Sequence, residues 1–206
     1  MESGKIETTI FFGNGVNLLS KEGKSWDAIL RQISQRQVLP PIGSNTLKYE
    51  YIVLPQERYT EVDYGVRIEE EGMKIPSEII DTEQNLKEVL ARELSDSRAS
   101  YFYNKLVNLK VDNYITTNYE LFLYDLLNER GFKQIGNGHF KYKLRPILTL
   151  ERGYDQVRLW NIHGNVWRPD TIMLGLSDYC KYVIDIEKKM QAIEEGTINS
   201  EEFYWP

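Results

Sequence analysis

Three short polar segments carry most of the residues in this chain that could do chemistry. Gly13-Asn14-Gly15-Val16-Asn17 follows the apolar run Ile10-Phe11-Phe12, Thr116-Thr117-Asn118-Tyr119-Glu120 follows Tyr114-Ile115, and His163-Gly164 follows Leu159-Trp160-Asn161-Ile162. Two glycines at a strand end permit a tight turn and let backbone N–H groups approach a pyrophosphate with no side chain in the way. The carboxamide of Asn118 offers both a donor and an acceptor for a ribose hydroxyl or a water. His163 suits proton transfer near neutral pH, and Gly164 beside it lets another group come close to the backbone. Each segment also has a plainer reading. Asn-Gly is a common turn pair. Asn118 fits the N-cap of the amphipathic helix that follows, worth about 1 kcal/mol over alanine, with Glu120 in the first helical turn. An isolated histidine beside a core is more often structural than catalytic. What favours the ligand-site reading is that all three segments end strands, and open α/β sheets bind ligands at the carboxyl ends of their strands.

The elements that must position these segments follow from periodicity. Ile6 to Phe12 reads as a strand, and Ser25 as the cap of a helix through Trp26, Ile29, Leu30 and Ile33, ended by Pro40-Pro41. Residues 42 to 80 read as a mixed insertion or lid, with strand character at Tyr49 to Leu54 and Val62 to Ile68. Asp81 with Gln84 resembles a capping box opening a helix through Leu86, Val89 and Leu90. A helix is expected over Ala99 to Leu109 and a strand over Asn113 to Thr116. Tyr119, Phe122, Leu123, Leu126 and Leu127 then mark a helix ended by Gly131. Further strands are expected at Ile147 to Leu150, Val157 to Ile162 and Thr171 to Leu174, and a helix at Ile184 to Ile193. Strands alternating with helices predict an α/β fold, a mostly parallel sheet with helices on both faces, in one domain over residues 1–206.

Composition narrows the function. With 41% hydrophobic and 27% charged residues a packed core is expected, and the net charge of −6 argues against direct nucleic-acid contact. No apolar stretch has the length of a membrane span, and the N-terminus lacks a signal peptide's basic and apolar regions, so a cytoplasmic protein is expected. The single cysteine, Cys180, provides neither an internal disulfide nor a multi-cysteine zinc site, so no metal is expected. His139, in Gly136-Asn137-Gly138-His139, reads as part of a surface turn and receives no role.

In this order and at these separations, the three segments resemble the sirtuin-like family of NAD-consuming proteins. That family carries a Gly-x-Gly turn after the first strand, a Thr-x-Asn-Tyr/Ile-Asp segment and a later His-Gly pair. Met173-Leu174-Gly175-Leu176-Ser177-Asp178-Tyr179 is similar to the element that follows the His-Gly pair in bacterial members. The resemblance covers residues 6 to 180 and implies a Rossmann-like fold with NAD as substrate. It assigns Asn118 to the ribose or the attacking water and His163 to the general base. Gly13, Asn14, Gly15, Asn17, Thr117 and Gly164 would line the nucleotide, with Asp27 at the nicotinamide end.

Three departures steer the resemblance within the family. The deacylases carry four zinc-binding cysteines and a Pro-Asp-Phe-Arg element; this chain has one cysteine and Ser25-Trp26-Asp27 in that region, and Glu120 stands where Asp is usual. These point to the zinc-free bacterial branch, which resembles NAD hydrolases of anti-phage defence. The implied function is an NAD glycohydrolase, acting as a homo-oligomer or as a partner subunit of a defence complex. The alternative is a domain that holds NAD or ADP-ribose as a sensor without turnover, or a plain interaction module. Sirtuin-like domains usually continue to a further strand and a Gly-Ser or Gly-Tyr-Ser turn. The 206 residues are therefore expected to be an N-terminal portion of a longer protein or to be completed by a partner.

Overall fold

The computed structural model describes residues 7–19, 24–34, 44–53, 77–95, 99–136 and 147–197, the side chains of 77–82 and 147 excepted. Among the described residues the strands are β1 (Thr9–Phe12), β2 (Asn113–Thr116), β3 (Lys133–Gly136), β4 (Ile147–Arg152) and β5 (Asp155–Asn161). They form one sheet in the order β1-β2-β5-β4-β3. β1, β2 and β5 are parallel, while β4 runs antiparallel to both β5 and β3. The fold is the expected Rossmann-like α/β type in a mixed form. β4 and β5 are joined through Gly153, whose φ of +61° makes the hairpin turn. β3, absent from the sequence reading, adds an edge beyond them.

Helices α1 (Gly15–Leu18), α2 (Trp26–Ile33), α3 (Asn45–Val53), α4 (Ser77–Ser95) and α5 (Tyr101–Asn108) lie between β1 and β2 in the chain. α6 (Phe122–Glu129) follows β2, and α7 (Leu176–Glu194) follows β5 and a short 3-10 turn at Pro169–Thr171. Tyr103 and Val107 of α5 and Leu123 and Leu127 of α6 pack with Phe12, Tyr114, Leu150 and Leu159 of the strands, forming the sheet core. A second core joins α2, α3 and α4 through Leu30, Tyr49, Ile52 and Leu90, and takes in Tyr119 and Ile172.

Five expectations need correction. Helix α2 does not run to Pro40-Pro41: it ends at Ile33, and Ser34 already has extended backbone. Tyr49 to Leu54 is not a strand: Tyr49, Ile52 and Val53 are buried at the i, i+3, i+4 spacing of helix α3, so packing overrides the β-propensity of these side chains. Val62 to Ile68 lies outside the described residues. Asp81 does not open its helix, because α4 begins at Ser77. Thr171 to Leu174 joins no sheet; Ile172, Met173 and Leu174 are buried, and Met173 N–H donates to the His163 carbonyl instead. Finally, α6 starts at Phe122 rather than at Tyr119. The Tyr119 ring packs edge-on against Trp26 at 5.0 Å and its hydroxyl donates to the Met173 carbonyl, which holds residues 118–120 out of the helix. The cap reading of Asn118 falls with this.

A half-buried polar cluster anchors α7. Lys87 Nζ donates to Asp178 Oδ1 at 2.9 Å and lies 3.7 Å from Glu83 Oε1. The Asp178 carboxylate also accepts from the N–H groups of Leu174 and Gly175. Burial is the main cause that pushes the Glu83 carboxyl above its ordinary value of 4.5; Asp178 and Glu50 add to the rise and Lys87 opposes it. A raised native value means that the folded state holds the proton more tightly than the unfolded chain. This contribution to stability is present below about 4.5 and is lost as pH rises through the native value. Thermal unfolding of Glu83→Gln between pH 4 and 7 should therefore show a flatter stability profile than wild type and a higher melting temperature at pH 7. An unchanged slope would refute the assignment.

Candidate functional site

The parallel strands place the three polar segments at one edge. In register, Phe12 pairs with Thr116 and Thr116 with Asn161, so the chain leaves β1, β2 and β5 at the same level. Gly13, Thr117 and the residues leading to His163 follow immediately. Hydrogen bonds then tie the segments together. Thr117 N–H donates to the Phe12 carbonyl, Ile162 N–H to the Thr116 carbonyl and Val166 N–H to the Tyr119 carbonyl. Asn161 Nδ2 donates to the Asn118 carbonyl at 2.9 Å.

Gly13 and Thr117 are in close approach: a Cβ on Gly13 would lie 2.9 Å from Thr117 Oγ1. Gly15 is open, with nothing among the described residues within 4 Å of the corresponding position. Asn14 Oδ1 accepts from Asn17 Nδ2 at 2.9 Å, and the same Nδ2 donates to Glu120 Oε1 at 2.8 Å. Asn17 thus links the first segment to the second. Asp27 lies in the first turn of α2, next to Trp26, which contacts Tyr119. Its carboxylate is engaged by Arg31 at 2.7 Å and by Lys48, and hydrogen bonds from these two, Arg31 foremost, hold it below the usual carboxylate range.

Asn118 is 2% exposed. Its N–H donates to Thr116 Oγ1 at 3.0 Å and its Nδ2 to the Tyr103 hydroxyl at 2.9 Å. Tyr103 Oη in turn donates to Glu120 Oε1 at 2.6 Å. Burial, reinforced by the Glu120 charge, pushes the Tyr103 phenol well above its ordinary range, so it stays protonated. The Asn118 Oδ1 has no hydrogen-bond partner among the described residues. Asn118 lines a cavity with Phe12, Tyr103, Thr116, Glu120 and Asn161. Its volume of about 10 Å³, counted as room for the centre of a water, suits one water or one hydroxyl.

His163 is half-buried in the loop after β5. Its ring meets the Tyr179 ring edge-on at 5.3 Å, with the Tyr179 hydroxyl 3.5 Å from Nδ1. Gly164 has a φ of +87°, and a Cβ there would fall 2.1 Å from the Thr171 carbonyl oxygen. The close approach suggested by the sequence is thus made by the chain's own backbone. His139 lies outside the described residues. The reading of the sequence missed Tyr103 and Asn161. Asn161 carries a faint signal, a carboxamide closing an otherwise apolar strand; nothing in Tyr101-Phe102-Tyr103 distinguishes Tyr103 from a core aromatic.

Residues 112–200 match the family model described as the SIR2-like domain. The match spans under half of the chain; it includes the Asn118 segment, β5, the His163-Gly164 pair and α7, and the Gly13–Asn17 turn precedes it. It supports a sirtuin-like family and fits an NAD-consuming activity. No match is found among curated proteins. Among the described residues no group of three or more His, Cys, Asp or Glu could hold a metal ion, and no helix is long and apolar enough to cross a membrane.

Proposed function

We propose that the chain is an NAD glycohydrolase, which cleaves NAD with water to nicotinamide and ADP-ribose and serves as the effector of a bacterial anti-phage system. The observation that carries this reading is Asn118. It is buried at the carboxyl end of a central strand, it does not cap the helix that follows, and its Oδ1 is an acceptor without a partner among the described residues. A buried polar atom left in that state calls for a ligand or a water.

The bond broken joins the nicotinamide nitrogen to the ribose anomeric carbon. The leaving group is already cationic, so it departs as neutral nicotinamide with little acid assistance. The sugar passes through an oxocarbenium-like state like that of glycoside hydrolysis. In this scheme Asn118 Oδ1 accepts from a ribose hydroxyl or from the attacking water and fixes its position. His163 takes the proton from the hydroxyl or water. The scheme requires the tautomer in which Nδ1–H turns to the Tyr179 hydroxyl, 3.5 Å away, and Nε2 carries the lone pair. In the same scheme the backbone at Gly15, with Gly13 and Asn14, receives the pyrophosphate beside Thr117, while Gly164 lets the His163 loop pack against the Thr171 backbone. Asn17 and Asp27 complete the nicotinamide end through their own partners, Glu120 and Lys48.

Mixing the chain with NAD and quantifying nicotinamide and ADP-ribose tests the proposal. Equimolar release of both is expected. Binding of ADP-ribose without release would identify a nucleotide-binding module instead, and neither binding nor release would leave a structural role for both residues.

A further inference from the structure

The hydrogen bonds around Asn118 have a fixed direction. Glu120, as a carboxylate, only accepts. At 2.6 Å from Glu120 Oε1, the single proton of the Tyr103 hydroxyl is committed to it. The Tyr103 oxygen is then left as an acceptor, and the group facing it, 2.9 Å away on Asn118, must be the NH₂. Amide nitrogen and oxygen are nearly interchangeable in shape, so their assignment rests on the hydrogen-bond network, and here that network allows one answer. Asn17 Nδ2, donating to the same Glu120 oxygen at 2.8 Å, keeps the carboxylate in place. The Asn118 Oδ1 is consequently left as a buried acceptor without a partner among the described residues, on a side chain that lines the cavity.

We infer that Tyr103 and Glu120 are positioning residues which fix the direction of the Asn118 amide, so that the site selects a hydrogen-bond donor, a hydroxyl or a water, at Oδ1. The inference rests on the proposed NAD cleavage for its catalytic consequence but not for its structural content. Reversal of the amide would put NH₂ at that position and repel the hydroxyl hydrogen, although the shape of the site stayed the same. α5 thereby contributes to a site whose other residues come from the strand ends.

The test uses the full chain with isotope-labelled asparagine, the Asn118 side-chain resonance being assigned by its loss in Asn118→Asp. In wild type the Asn118 NH₂ protons should exchange slowly. Tyr103→Phe removes their acceptor. Glu120→Met frees the Tyr103 proton to turn to Asn118 Oδ1 and reverse the amide. Both should shift this resonance and speed its exchange. Both should also lower kcat for nicotinamide release by about a hundredfold, the order of effect of a misplaced reacting group, with a smaller change in KM. Glu120→Gln still offers an oxygen to Tyr103 and Asn17, so it should keep the resonance and recover most of the rate. If Tyr103→Phe does not fold, the contrast between Glu120→Met and Glu120→Gln decides. A wild-type resonance and kcat in folded Tyr103→Phe, or equal behaviour of the two Glu120 variants, overturns the inference. Absence of nicotinamide release from wild type overturns the NAD reading alone, since the resonance still reports the direction of the amide.

Discussion

Replacing His163 by alanine is expected to lower nicotinamide release by about 10²- to 10⁴-fold, the usual contribution of a general base, in a protein that remains folded. The structure separates the ring from the backbone it sits on. The His163 carbonyl accepts from Met173 N–H, a bond that any residue at 163 supplies. The half-buried ring touches Tyr179, so its removal should cost about 1 kcal/mol or less of stability. A large loss of rate with a small change in melting temperature therefore marks chemistry rather than folding. Asn118→Ala should abolish release as well, but with a stability loss of about 1–3 kcal/mol, because it strips the donor from buried Tyr103 Oη. His139→Ala should leave release intact. Wild-type turnover by His163→Ala would remove the proposed mechanism.

What the sequence showed depended on whether a residue's role was set locally. The strand Asn113–Thr116 and the Ser25-capped start of helix α2 with its buried face match the sequence expectation, since apolar spacing and a cap are written within a few neighbouring residues. The helix expected from Tyr119, with Asn118 as its cap, starts later than its sequence suggests, although Tyr119, Phe122 and Leu123 continue the helical period. What interrupts that period is distant: Trp26 and the Met173 carbonyl hold Tyr119. The same long-range cause hides Tyr103 from sequence reading, because its hydroxyl matters only once α5 lies beside the end of β2. The ordered set of three segments was legible as a resemblance, and the parallel register of β1, β2 and β5 supplies its physical reason. Polar residues far apart in the chain lie at one sheet edge because the strands before them end at the same level.

Gly164→Ala is expected to have the largest effect on folding of any substitution at this edge. Two causes add. A φ of +87° is unfavourable for a residue with a Cβ. The added carbon would also meet backbone, lying 2.1 Å from the Thr171 oxygen, 2.3 Å from its carbon and 2.7 Å from Ile172 N. That backbone has little room to retreat: Thr171 N–H donates to the Arg168 carbonyl at 2.8 Å, Met173 N–H donates to the His163 carbonyl, and Ile172 is buried in the helical core. The loss should reach about 3–4 kcal/mol or more, the range of a named steric mechanism in a rigid setting, read as a fall in denaturation midpoint at unchanged slope. Gly131→Ala provides the control, for its φ of +88° is similar while the nearest atom is the flexible Arg152 Cδ at 3.7 Å. It should lose only about 1–2 kcal/mol. Gly15→Ala separates binding from folding at the opposite side of the site. Nothing among the described residues lies within 4 Å of its added methyl, so the melting temperature should hold while KM for NAD rises if the pyrophosphate passes there. An unchanged KM in Gly15→Ala would move the nucleotide away from the glycine turn. A wild-type midpoint in Gly164→Ala would mean that the 163–173 loop is not packed against Thr171 as described.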